Sequence, residues 1–181
     1  MPDEWYLVAD IGGTNTRFAA FHGGRLVSSV THETAQSDDI LASMRAFSET
    51  LPHKPGIIVV AAAGPVEGNA VTLTNSKHAL CGDKLSAATG AKQAYVINDF
   101  AAAAWATVDV APSDLQVIAG APALAPGARV VIGPGTGLGV GALAFDGIRY
   151  QSVTGEGGHI GIGPRNRDEV PVFEALRTLW P

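Results

Sequence analysis

The sequence has one cysteine, Cys81, among its 181 residues. A single thiol excludes an internal disulfide framework and any zinc site built from several cysteines, and it suits a reducing, cytoplasmic setting. Charge is also scarce: charged residues make up 16% of the chain, with 12 basic against 17 acidic, for a net charge of −5. The basic excess that binding to a phosphate backbone needs is missing, so no nucleic-acid partner is expected. The first residues are acidic and lack the basic stretch and apolar core of a signal peptide. The longest uncharged stretch, residues 130–145, is broken by glycine and too short to span a membrane as a helix. No Gly-Lys-Ser or Gly-Lys-Thr occurs, which excludes the P-loop pattern.

Apolar residues and glycine are abundant. Hydrophobic residues form 46% of the chain, enough to offset chain entropy and to argue against disorder. Of the 22 glycines, 11 fall between Gly133 and Gly163. Such a cluster predicts turns, or close approach of backbone to a ligand.

The pattern along the chain predicts an α/β fold. Residues 5–11 form an apolar run ending at Gly12-Gly13, read as a buried strand and tight turn. Residues 16–21 and 25–31, joined by His22-Gly23-Gly24, continue it as an antiparallel meander. Residues 37–51 carry apolar side chains at helical spacing, with Ser37 or Asp38 as cap. Residues 56–63 form a continuous apolar run, as expected of a strand covered on both faces. Short strands are predicted at 69–73 and 94–97, and Asn98-Asp99 opens an alanine-rich helix through Ala106. A shift to proline, alanine and glycine over residues 108–127 marks a lobe boundary, dividing the chain into 1–108 and 109–181. Beyond it lie a strand at 128–133 and a hairpin, 138–145 with 148–153, across a type I′ turn at Asp146-Gly147. A helix is predicted from Asp168 or Glu169 onward.

Four segments carry candidate chemistry. In Asp10-Ile11-Gly12-Gly13-Thr14-Asn15-Thr16-Arg17, a carboxylate ends a buried strand and precedes two glycines and a hydroxyl. The backbone N–H groups of such a turn can converge on phosphate oxygens, and Asp10 can hold a hydrated Mg²⁺. A plain hairpin turn explains the same residues equally well. Gly133-Pro134-Gly135-Thr136-Gly137 repeats the grammar of strand, glycines, threonine and strand. Residues 137–142 also loosely satisfy a dinucleotide-binding pattern, but a hairpin and not a helix follows, so the required context fails. Asn98-Asp99 places a carboxylate at a strand end, where it can cap a helix or take a proton from an acceptor hydroxyl. In Gly155-Glu156-Gly157-Gly158-His159, a carboxylate and an imidazole stand three apart, a pair suited to sugar hydroxyls. One Glu and one His are too few for a metal site, and His22, His32, His53 and His78 show no ligand spacing.

Together these segments resemble the bacterial glucokinase family, within the actin-like ATPase superfamily of sugar kinases. Residues 10–16 resemble its first phosphate loop and 133–139 its second. Asn98-Asp99 resembles the sugar-binding and catalytic pair, 155–159 the glucose-binding segment, and Thr74-Asn75 part of a further sugar-proximal stretch. Related kinases with a cysteine-rich zinc motif are disfavoured by the lone cysteine. The resemblance implies two α/β lobes closing over a cleft, in the ribonuclease H-like manner. It also implies ATP-Mg²⁺-dependent phosphorylation of glucose, or a close hexose, at the 6-hydroxyl, the entry step of glycolysis. Asp99 would be the base. Asn75, Asn98, Glu156 and His159 would bind the sugar. Asp10, Gly12, Gly13, Thr14, Asn15, Gly135, Thr136 and Gly137 would face the phosphates, with Asp10 reaching Mg²⁺ through water.

The sequence departs from the family at His78, where members often carry an aromatic residue. Family members are also considerably longer, which implies that the second lobe is incomplete here, with an uncovered sheet edge and apolar face and weak stability. Two other readings stay open: a non-catalytic sugar- or phosphate-binding remnant, and a nucleotide-binding oxidoreductase, which the meander after Asp10 disfavours. A homodimer is left open.

Overall fold

The computed structural model describes residues 4–34, 39–73, 79–120, 126–134, 137–153, 155 and 157–179. The chain runs β1 (Trp5–Ile11), β2 (Asn15–His22), β3 (Arg25–Glu33), α1 (Ile40–Glu49), β4 (Ile57–Ala62), β5 (Val66–Glu67), β6 (Ala70–Thr72), β7 (Ala79–Cys81), α2 (Gly82–Thr89), β8 (Gln93–Asn98), α3 (Asp99–Ala106), β9 (Arg129–Pro134), β10 (Leu138–Phe145), β11 (Tyr150–Val153) and α4 (Val170–Leu179).

The main sheet has the order β3-β2-β1-β4-β8. The meander β1-β2-β3 is antiparallel, and β4 and β8 run parallel to β1. Strand alternation sends one set of side chains to a shared face. Leu7, Ala9 and Ile11 of β1 stand level with Ile58, Val60 and Ala62 of β4, and all six are buried. Phe18 and Ala20 of β2 and Val96 of β8 extend the same core, and Ile40, Met44 and Phe47 of α1 and Leu85 of α2 cover it. Burying each large side chain is worth about 1.5–3 kcal/mol.

Several expectations change in detail. The cap of α1 is Asp39, whose carboxylate accepts from Leu41 N and Ala42 N at 2.9 and 3.1 Å; Ser37 and Asp38 lie outside the described residues. The run at 56–63 was expected to be covered on both faces. Alternate residues of β4 are buried and the others half-buried, because α1 and α2 cover one face whereas α3 only touches β4. The helix α2 was not foreseen. It is short and carries one large apolar residue, Leu85, and its clearest signal is the left-handed Gly90 that ends it at φ 76°.

A second sheet, β11-β10-β9, is antiparallel. The turn at Asp146-Gly147 is not the expected two-residue type I′, since only Gly147 has positive φ. Phe145 pairs with Tyr150, so four residues form the loop, and the Asp146 carboxylate accepts from the backbone N–H of Ile148 and Arg149 at 2.9 Å each. Those bonds, with one from the Gln151 side chain, hold the Asp146 carboxyl below its usual range. The third sheet, β5-β6-β7, is small.

The two larger sheets meet at α3, which packs on β9, β10 and β11 and also touches β4 and β8. At its far end Arg129 of β9 donates to Thr107 O and to Tyr150 Oη, bonding the end of α3 to the second sheet. Among the described residues no helix is long and apolar enough to cross a membrane.

Candidate active site

The three parallel strands end level with one another: Ile11 pairs with Ala62, and Ala62 with Asn98. The turn after β1, the Gly64 turn after β4 and the Asn98-Asp99 step therefore share one edge. The carboxyl edge of a parallel sheet is where open α/β folds bind ligands.

The first turn is held from behind by Thr34, which follows β3. The Thr34 hydroxyl donates to Gly12 O, and its backbone N–H donates to Thr14 O, each at 2.8 Å. Gly12 N donates to Asn15 O at 2.9 Å. Two carbonyls are thus fixed toward Thr34, whereas the N–H groups of Gly13 and Thr14 make no hydrogen bond among the described residues. Gly13 has no positive φ, and a Cβ placed on it would meet nothing within 4 Å. Neither backbone conformation nor packing within the chain requires glycine there. The open space there leaves room for the close approach of a ligand.

Asp10 lies on the opposite side of β1 from the core. Arg17 Nη1, directly across the β1–β2 ladder, donates to its Oδ2 at 2.8 Å, with both side chains about half exposed (50% for Asp10, 55% for Arg17). Such a surface pair contributes about 0–1 kcal/mol, so it can open without much cost. Among the described residues no three His, Cys, Asp or Glu side chains gather to hold a metal. One carboxylate with an oxygen to spare still fits Mg²⁺, which keeps most of its water and binds largely through phosphates. Thr34 was not singled out from the sequence, and Arg17 stood only as the last residue of the first segment. Arg17 was legible as the ladder partner of Asp10, but the reach of Thr34 across the meander was not.

At β8 the sequence left the capping role shared between Asn98 and Asp99. The structure gives it to Asn98, whose Oδ1 accepts from Phe100 N and Ala101 N at 2.9 and 3.1 Å. Asn98 Nδ2 donates to Gly64 O at 3.2 Å, tying the ends of β4 and β8 together. Asp99 is the first residue of α3 and also accepts from Phe100 N, at 3.0 Å. The N-cap is therefore Asn98, with Asp99 inside the first turn of α3.

The second glycine-rich segment reads differently from expectation. Cβ atoms on Gly133 and Gly139 would collide with the Phe100 ring, and one on Gly141 with the Phe100 carbonyl. Part of the glycine cluster thus lets α3 seat against β9 and β10, bringing that hairpin to the first turn of α3. A single helical turn, Gly157–His159, packs against the stretch of β10 that β11 does not reach, with Gly158 against Leu138 O. Gly137 lies at the hairpin tip, where a Cβ would meet nothing, and His159 is exposed. Asn75, Gly135, Thr136 and Glu156 lie outside the described residues. The structure therefore groups Asp10, Gly12, Gly13, Thr14 and Asn15 with Asn98-Asp99 on one sheet edge, and joins Gly137 and His159 to them through Phe100 and β10. No helix follows Gly137, so the dinucleotide-binding context is absent.

The mixed sheet, its meander and the glycine turns at its carboxyl edge define an actin-like ATPase fold of the sugar-kinase kind, as the structural comparisons bear out. The glucokinase of an Antarctic psychrotroph superposes with a TM-score of 0.85 at 32% identity, covering 98% of this chain and 58% of that one. The inorganic polyphosphate/ATP-glucomannokinase of Arthrobacter sp. strain KM shares the fold at a TM-score of 0.65 and 22% identity, over 97% of this chain and 72% of that one. The glucokinase family model matches residues 7–180, and the chain belongs to that family. The glucokinase of Brucella melitensis is 37% identical over 178 residues, 96% of this chain and 51% of the relative. That of Nitrobacter hamburgensis is 37% identical over 179 residues, 97% of this chain and 55% of the relative. The chain thus spans about half the length of the curated relatives it matches.

Proposed function

We propose that the chain carries the phosphate-binding and sugar-binding half of a glucokinase, which transfers phosphate from ATP to the 6-hydroxyl of glucose or a close hexose. The carrying observation is the shared carboxyl edge, where the Gly13 turn and Asn98-Asp99 are held level by the β1–β4–β8 ladder. ATP would supply the transferable phosphoryl group, and Mg²⁺ would spread its charge.

The chain's own groups divide the remaining work. The N–H of Gly13, in the peptide whose carbonyl Thr34 holds, and that of Thr14 donate to phosphate oxygens, as do those of Gly135, Thr136 and Gly137. Asp10 would hold a hydrated Mg²⁺ in place of its ion pair with Arg17. Asn98, fixed by its three hydrogen bonds, offers a remaining amide hydrogen to the sugar. Asp99 accepts the proton of the attacking hydroxyl. Asn75, Glu156 and His159 hold other hydroxyls. The lobes divide at residues 108 and 109, and α3, which touches both larger sheets, carries Asp99 between them.

Glucose-dependent ADP formation tests this reading. The wild-type chain should show it and Asp99→Ala should lose it by at least about 100-fold, the scale of a general base. Activity that survives in Asp99→Ala overturns the assignment of the base. Because the chain spans half the length of its relatives, a second reading is a sugar-binding half without turnover. Glucose binding by calorimetry, with no ADP formed, supports that reading.

A further inference from the structure

Asn69 is the one non-glycine residue with positive φ among the described residues, at 62°. With Gly68 at φ 53° it forms the two-residue turn between β5 and β6, where Glu67 pairs with Ala70. Asparagine tolerates this conformation, so the turn alone could explain its presence. Its side chain does something the turn does not require. Asn69 Nδ2 donates to Ala94 O at 2.9 Å, and its Oδ1 accepts from Val96 N at 2.8 Å.

Those two groups flank Tyr95 on β8, the edge strand of the main sheet. A neighbouring parallel strand would bond to the carbonyl before a residue and the N–H after it. The Asn69 amide therefore takes the place of the N–H and C=O of one residue in a sixth strand. The fit is built from the other side as well. Gly82 N donates to Asn69 O at 3.0 Å, and a Cβ on Gly82 would run into both Asn69 Nδ2 and Ala94 O.

We propose that Asn69 is a positioning residue for Asn98 and Asp99: its amide holds the outer edge of β8, while the β4 ladder holds the inner edge. Val96, the bonded donor, is two residues before Asn98. With both edges held, β8 delivers the Asn98 cap and the Asp99 carboxylate at a fixed height on the sheet edge. The functional weight of this splint rests on the reading of Asn98-Asp99 as the sugar-binding and catalytic pair.

Amide hydrogen exchange on the full chain tests the splint without relying on activity. Asn69→Gly keeps the turn conformation and deletes the amide. Its exchange at Val96, and at Phe100 and Ala101 under the Asn98 cap, should accelerate on the order of ten-fold, with Ala9 and Phe18 unchanged. Asn69→Asp, which keeps the acceptor for Val96 N, should protect Val96 and give intermediate rates at Phe100 and Ala101. Acceleration at Val96 alone would show a merely local bond, and uniform acceleration across the sheet a merely structural one; either overturns the proposal. Absence of glucose turnover in the wild type would contradict the proposed function and leave the exchange pattern to decide the splint.

Discussion

The five-stranded and three-stranded sheets are built from comparably apolar strands, yet their faces meet different surroundings. In the first, Leu7, Ile11, Ile58 and Val60 are fully buried beneath α1 and α2. In the second, Val130, Ile132 and Val153 are 62%, 64% and 52% exposed. Pairing places Val130, Ala142 and Val153 side by side, and Ile132 beside Val140, so these residues form one continuous apolar face. Its other face is occupied by α3, with Phe100 pressed against the glycines of β9 and β10. Apolar content makes a strand able to join a core, and a covering layer decides whether it does. Among the described residues the Gly157–His159 turn reaches this outer face at Val140, while Val130, Ile132 and Val153 stay exposed.

The sharpest way to break this comparison is a matched truncation. Leu7→Ala should cost about 2–5 kcal/mol, seen as a large fall in Tm, whereas Ile132→Ala should change stability by less than about 0.5 kcal/mol. Equal losses in thermal denaturation would mean that the outer face is covered after all. A smaller effect concerns the helix joining the sheets. Asn98→Ala removes the cap of α3 and the link to Gly64, and should lower stability by about 0.5–2 kcal/mol in urea unfolding. No loss would mean that α3 is held by Phe100 packing alone. The smallest effect lies in the β10–β11 loop. The Asp146 carboxyl titrates below its usual range because backbone N–H groups bond its ionised form. The folded state thus prefers it charged, so its stabilisation is present at neutral pH and is lost as pH falls through the lowered value. The advantage of wild type over Asp146→Ala should accordingly be small at pH 7 and vanish in acid. An advantage that grows in acid would contradict the assigned cause.

The main sheet was legible because its signals are local and agree: alternating or continuous apolar runs, broken by glycine turns at Gly12-Gly13 and Gly23-Gly24. The Asn98-Asp99 step was legible as a strand meeting an alanine-rich helix. What could not be read was tertiary. Thr34 supports the first turn from 20 residues beyond Thr14, and Asn69 reaches β8 across 25 and 27 residues. The glycines at 133, 139 and 141 looked like ligand turns because composition does not show that Phe100 packs against them. The type I′ signal at Asp146-Gly147 was misread because the Asp146 side chain satisfies the loop's backbone donors itself, allowing four residues where two were expected.

In the proposed function glucose binds at the carboxyl edge of β1, β4 and β8. Titration with glucose, followed by amide chemical shifts, tests it most directly. Saturable shifts are expected at Asn98, Phe100 and His159, with Trp5, Gly56 and Lys92 at the opposite end of the strands unmoved. Shifts confined to that opposite end, or none at saturating glucose, would contradict it.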